Sequence, residues 1–262
     1  MGGRPRLKML GASLATLALA LAAVGASGVR AADWANASQA PVGLAPDPAT
    51  TREAVVQVYA ARTWGWRGTF GVHSWIAAKR AGAAAFTVYE VVGWRLRWSD
   101  SAVVVSARAA DARWFGSAPE LLADTRGAGV EGLIDRIEAA VVAYPHAAEY
   151  RVWPGPNSNT FTAWVLRRVP ELQADLPPTA IGKDYLGDRI FASAPSGSGV
   201  QLSLAGLLGI LASDVEGLEV NILGLSFGVN PFDFSLKLPL IGRIGPQRRV
   251  GAGSAPYATQ SQ

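Results

Sequence analysis

Two histidines in 262 residues, and no cysteine, leave few side chains able to do acid–base or nucleophilic chemistry near neutral pH. His73 sits in the run Val72-His-Ser-Trp75, where both flanks are apolar and a polar ring needs a reason. Glu90 sits in the next such run, Tyr89-Glu-Val-Val92. A carboxylate beside an imidazole orients the ring and stabilises its protonated form. The third candidate is Ser158, within Tyr150-Arg-Val-Trp-Pro-Gly-Pro-Asn-Ser-Asn-Thr-Phe161. There a tight Pro-Gly-Pro turn gives way to a polar cluster and then to apolar positions, the layout of a helix start. Unpaired N–H groups at a helix start stabilise negative charge. Ser158 would then be a nucleophile, His73 its general base and Glu90 the orienting partner. Backbone N–H groups near Asn159 would receive the oxyanion, with Asn157 and Thr160 shaping the turn. The chemistry is that of an amidase, esterase or acyltransferase, and it needs no metal and no organic cofactor.

Each residue also has a plainer reading. Ser158, Asn159 or Thr160 suits a helix N-cap, which by itself accounts for the polar cluster. His73 suits a core histidine bonded to the backbone. Glu90 suits an ion pair with Arg95 or Arg97. His146, after Tyr144-Pro145, reads as exposed, and Lys183-Asp184 as a pair on a surface loop.

The elements that must position these groups follow from periodicity. Ala54–Ala61, Gly68–Ala78, Phe86–Trp94 and the run through Val103, Val104 and Val105 read as strands. Ser117-Ala-Pro-Glu120 has the capping-box spacing and predicts a helix start. Val130–Ala143 places Leu133, Ile134, Ile137, Ala140 and Val141 on one helical face. Glu149–Trp153 reads as a short strand, and a second helix runs from Ser158–Thr160 through Leu166. Ala194–Gly199 is a loop. Val200–Ala212, Glu219–Val229 and Leu236–Ile244 read as strands in hairpins of the same domain. The class is therefore α+β, a mixed or antiparallel sheet packed with at least two helices, in one domain over 53–246. A proline-bearing linker (32–52) precedes it and a tail (247–262) follows.

Composition bounds the rest. Half the residues are apolar and 17% are charged, which excludes a disordered polyelectrolyte. Absence of cysteine excludes disulfides and thiolate metal sites, and two histidines make a multi-histidine metal site improbable. The net charge of +4 is spread along the chain and is not the footprint of a nucleic-acid binder. Arg4, Arg6 and Lys8 precede an uncharged apolar stretch from Met9 to Val29, the layout of an export signal. Residues 1–31 read either as a signal peptide cleaved after Ala31 or as a retained inner-membrane anchor. Both readings place the body in the periplasm, where the ligand would be a small molecule, a peptide, a peptidoglycan fragment or a lipid.

The body also resembles an uncharacterised bacterial domain-of-unknown-function family. The resemblance rests on AVVQVYAARTWGWRG, VHSWIAAK, YEVVGW, YRVWPGPNSNTF, AIGKDY and LKLPLIGRIG. More distantly, the order His73 then Asn157-Ser158-Asn159-Thr160-Phe161 resembles the strand histidine and later Asn-Cys-x-x-Phe helix start of circularly permuted papain-like hydrolases of the NlpC/P60 type, which include the lecithin:retinol acyltransferase-like proteins. That resemblance implies a papain-like fold with His73 as base and Ser158 where the nucleophilic cysteine stands. Serine there departs from the pattern, because a hydroxyl is a far poorer nucleophile than a thiol.

Overall fold

The computed structural model describes residues 34–246 and contains two antiparallel sheets and two α-helices. The first sheet has the order β4-β3-β2-β1-β5. Its strands are β1 (Val55–Arg62), β2 (Val72–Lys79), β3 (Thr87–Val91), β4 (Val103–Ala107) and β5 (Glu120–Arg126). Side chains alternate across a sheet, and here both faces are covered at the centre. Val56, Val58, Ala60, Val72, Ile76, Tyr89 and Val91 meet α1 (Val130–Val142) and α2 (Ser158–Leu166) through Ile134, Ile137, Phe161 and Val165. Val55, Tyr59, Ala61, Trp75, Ala77 and Val88 form a second core on the opposite face. That face is closed by the segment after β4 and by the linker, whose Leu44 and Ala45 N–H groups donate to Asp111. Burial on both faces explains why β1 and β2 are almost uniformly buried rather than half wet.

The expected helix at Ser117–Glu120 is a correction. Glu120–Arg126 is β5, paired along β1 from Val55↔Arg126 to Ala60↔Glu120. A capping box contributes on the order of 1 kcal/mol, whereas leaving the edge of β1 unpaired strands a row of backbone groups. The expected strand at Glu149–Trp153 is also absent. That segment instead leads into cis peptide bonds before Pro154 and Pro156.

The second sheet has seven strands in the order β12-β11-β10-β9-β8-β7-β6. They are β6 (Phe191–Ser193), β7 (Gly199–Leu204), β8 (Leu208–Ser213), β9 (Gly217–Ile222), β10 (Leu225–Asn230), β11 (Ser235–Leu238) and β12 (Gly242–Ile244). The predicted run Val200–Ala212 is two strands joined by the Ala205–Leu207 turn. The alternation is inverted relative to an ordinary half-buried sheet. Gln201, Ser203, Glu219, Asn221, Ser226 and Lys237 are buried, while Val200, Leu202, Ile210, Leu218, Val220 and Val229 are exposed. The buried polar row meets charges supplied by the chain after α2. Lys183 and Lys237 both bond Glu219, and Lys237 also reaches Asp175 at 2.6 Å. Gln201, Asn221 and Ser226 converge on Asp184. Lys183-Asp184 is therefore no surface pair; it is a buried ionic joint between the second sheet and the chain that follows α2. Burial alone would raise the Glu219 carboxyl, but Lys183 and Lys237 together pull it below the usual carboxylate range.

The export signal or anchor and the tail lie outside the described residues. Among the described residues, no helix is long and apolar enough to cross a membrane.

Candidate functional site

His73 faces the sheet side that carries Trp75, because residues two apart on a strand share a face. Its Nε2 lies 2.7 Å from Glu90 Oε2, and both side chains are almost wholly buried. A bond to a carboxylate assigns the N–H to Nε2 and leaves the lone pair on Nδ1. Burial lowers the His73 pKa below its ordinary value, and the Glu90 bond only partly offsets this. Burial thus favours the neutral form of the ring. Burial pushes the Glu90 carboxyl up, but His73 and then Arg108 pull it below the usual carboxylate range. Arg108 Nη2 sits 3.3 Å from both carboxylate oxygens of Glu90, and its guanidinium lies over the Trp75 ring at 5.2 Å. Three groups from β2, β3 and the segment after β4 thus form one neutralised polar unit.

Aromatic rings enclose that unit. His73 stacks on Trp114 at 3.6 Å between centroids and has Trp75 beside it at 5.7 Å, with the two indoles 6.4 Å apart. Trp94 stacks on Trp114, and Phe115 meets both edge-on. Trp75 is fully buried and donates its N–H to Ala110, but Trp94 is exposed over 45% of its surface. The stack therefore runs from the core to solvent, with Trp94, Trp114 and Phe115 as its outer wall.

Ser158 occupies a different place. It is the first residue of α2, behind the N-cap Asn157. Asn157 Oδ1 accepts from the N–H groups of Asn159 and Thr160, and Thr160 Oγ1 accepts from the Asn157 N–H, a reciprocal capping box. The remaining polar atoms of the cluster tie the helix start to its surroundings. Asn157 Nδ2 donates to Val152 and Ile181 carbonyls, Asn159 Nδ2 to those of Val72 and Ile181, and Thr160 Oγ1 to that of Gly182. Ser74 Oγ lies 2.9 Å from both Asn159 Oδ1 and Thr162 Oγ1. These bonds seat α2 on the face of β2 that displays Val72 and Ser74, opposite the face that displays His73.

The structure accordingly brings His73 and Glu90 together and does not bring Ser158 to them. Among the described residues, no hydrogen bond joins Ser158 to His73. The facing pair that the papain-like resemblance implies is not formed, because strand alternation sends the imidazole to the tryptophan side and α2 packs on the other. Asn157, rather than Ser158, Asn159 or Thr160, is the cap. Glu90 pairs with His73 and Arg108 rather than with Arg95 or Arg97. Arg108, Trp114 and Phe115 were not singled out in the sequence. The Trp114-Phe115 pair beyond an alternating strand was the available signal. A cleft of about 210 Å³, lined by Arg62, Glu120, Thr179, Lys237 and Arg243, lies between the sheets. It is smaller than the roughly 300 Å³ at which ligand pockets begin.

A family model described as a protein of unknown function (DUF3750) matches residues 53–185. The match runs from β1 to the Lys183-Asp184 joint and includes every residue of the His73 stack. No curated protein and no solved structure matches the chain.

Proposed function

Since the chain belongs to the DUF3750 family of proteins of unknown function, we propose its role from its own geometry: an exported cell-envelope protein that binds a peptidoglycan fragment without covalent catalysis. The observation that carries the reading is the ion-paired His73–Glu90–Arg108 unit, its histidine and glutamate buried, behind partly buried Trp114 and Phe115 and a nearly half-exposed Trp94. The exposed Trp94 ring, backed by Trp114 and braced edge-on by Phe115, takes the apolar face of a sugar ring, and aromatic residues with a polar handle favour such amphipathic contacts. The charged unit behind it fixes the wall, since each member is held by another. Catalysis through Ser158 is disfavoured because its helix and the imidazole lie on opposite sheet faces. The polar residues beside it are fully used in seating α2. Export rests on the Arg4–Val29 pattern.

Titration with soluble muropeptides, followed by tryptophan fluorescence, tests this reading. Wild type and Ser158→Ala are expected to show the same saturable change, and Trp114→Ala to lose it. Saturable binding that depends on Ser158, or cleavage of an ester or amide substrate that Ser158→Ala abolishes, would overturn it.

A further inference from the structure

The second sheet leaves an apolar face without a partner. Phe191, Leu202, Ile210, Val220 and Phe227 form one continuous cross-strand row. Val200, Ala212, Leu218, Val229, Leu236 and Ile244 form another beside it. Strand spacing and rise give this face on the order of 600 Å², at the upper end of what a soluble monomer exposes. The two ends of the sheet differ. The turns Ala205–Leu207, Leu223–Gly224 and Pro239–Ile241 carry no charge, whereas the opposite turns carry Asp214, Glu216 and Asp233.

The uncharged tips adjoin three loops of the first half, each pairing tryptophan with arginine. These are Trp66-Arg67 in the 3-10 helix Gly65–Thr69, Trp94-Arg95 through Arg97-Trp98 around the 3-10 helix Gly93–Arg97, and Arg151 to Trp153. Arg62 bonds the Gly68 and Thr69 carbonyls with one nitrogen and those of Leu240 and Ile241 with the other. Trp153 donates to the Leu223 carbonyl. Gly93 lies directly against the Tyr150 ring. The tips and the loops are thus one surface. On it Trp66, Trp98 and Trp153 are each half exposed or more, and Arg67, Arg97 and Arg151 are open to solvent. The two 3-10 helices contain no acidic residue; Asp100 lies just beyond.

We propose that this end of the domain docks on a lipid bilayer rich in anionic headgroups. Tryptophan favours the interfacial zone of a bilayer, and exposed arginines at its surface meet phosphate groups of opposite charge. The uncharged tips and the first residues of the apolar face follow them in, while the acidic turns stay away. A second copy meeting this surface about a twofold axis would set arginine against arginine, which favours lipid as the occupant. The docking surface adjoins the ligand wall at Trp94, but the residues that test it, Arg67, Arg97, Arg151 and Val152, take no part in the His73 stack.

The full chain has no cysteine, so Val152→Cys and Phe232→Cys each carry a single polarity-sensitive fluorophore, one at the proposed docking end and one at the acidic end. The label is read rather than sedimentation, because the Met9–Val29 stretch would carry the whole chain to any vesicle. On vesicles containing phosphatidylglycerol, a blue shift is expected at position 152 and none at 232. The shift is expected to shrink in high salt and to vanish when Arg67, Arg97 and Arg151 are all changed to Glu. No shift at 152, or equal shifts at both positions, overturns the proposal. So does a dimeric mass without lipid accompanied by no shift at 152, which would assign the apolar face to a second copy.

Discussion

At the scale of single residues, the helix start and the histidine pair divide the labour that one catalytic triad would have combined. Asn157 caps α2 and also satisfies two carbonyls from other segments. Asn157→Ala is expected to cost about 2–3 kcal/mol, the loss of a cap plus the part-buried Val152 carbonyl left without its donor, since Ile181 keeps its bond from Asn159. Ser158→Ala, with no bond to His73 to lose, is expected to cost less than about 1 kcal/mol. Urea denaturation of the two variants checks the contrast, and equal losses would contradict it. The His73–Glu90 pair makes a second prediction. Both folded-state pKa values are depressed. The stability they contribute is present above their unfolded values and is lost as pH falls through the folded ones. The urea midpoint should therefore hold near pH 7 and decline below about 6.5, the histidine value, with the decline flattened in His73→Gln. Residue types and spacing made His73, Glu90 and the polar cluster legible in the sequence. What strand parity decided, which face each group takes, was not read from it, and that parity separates Ser158 from the imidazole.

At the scale of elements, Gly182 shows how closely the joint fits. Its φ is +94°, and a Cβ there would lie 2.4 Å from Asn157 Nδ2. Gly82 also has positive φ, but a Cβ would meet open space. Gly82→Ala is expected to cost about 1 kcal/mol, the left-handed penalty alone. Gly182→Ala should cost more, since it also displaces the cap. Comparable thermal denaturation midpoints for the two would contradict this packing. Helices α1 and α2 and most strands were legible because their apolar periods persist over several residues. β5 was not, because Ser117-Ala-Pro-Glu120 carries a local helix signal that the free edge of β1 outweighs. The second sheet was legible as strands, yet alternation alone does not say which face is inside. The charged residues after α2 decide it, and they are far away in sequence.

At the scale of the whole molecule, the second sheet is held to the chain after α2 through buried ions, and neither apolar core cluster includes a residue of that sheet. Glu219 serves two ammonium groups. Glu219→Gln leaves Lys183 and Lys237 short of a counter-charge in a buried place, and about 3–5 kcal/mol of stability should go with it. Chemical denaturation would detect this, and a loss below about 1 kcal/mol would mean that the joint is wetter than its burial implies. The joint brings the C-terminal sheet against the region that the family model covers, which also holds the tryptophan wall. The central claim is that this wall and its buried histidine receive a ligand that is not cleaved. Because the chain has only two histidines, ¹⁵N NMR of labelled histidine resolves His73, with His73→Gln giving the assignment. The account predicts a neutral Nε2–H ring at pH 7 whose signal moves on saturation with muropeptide while the muropeptide stays intact. A His73 signal unmoved at saturation, or a muropeptide cleaved during the titration, would contradict it.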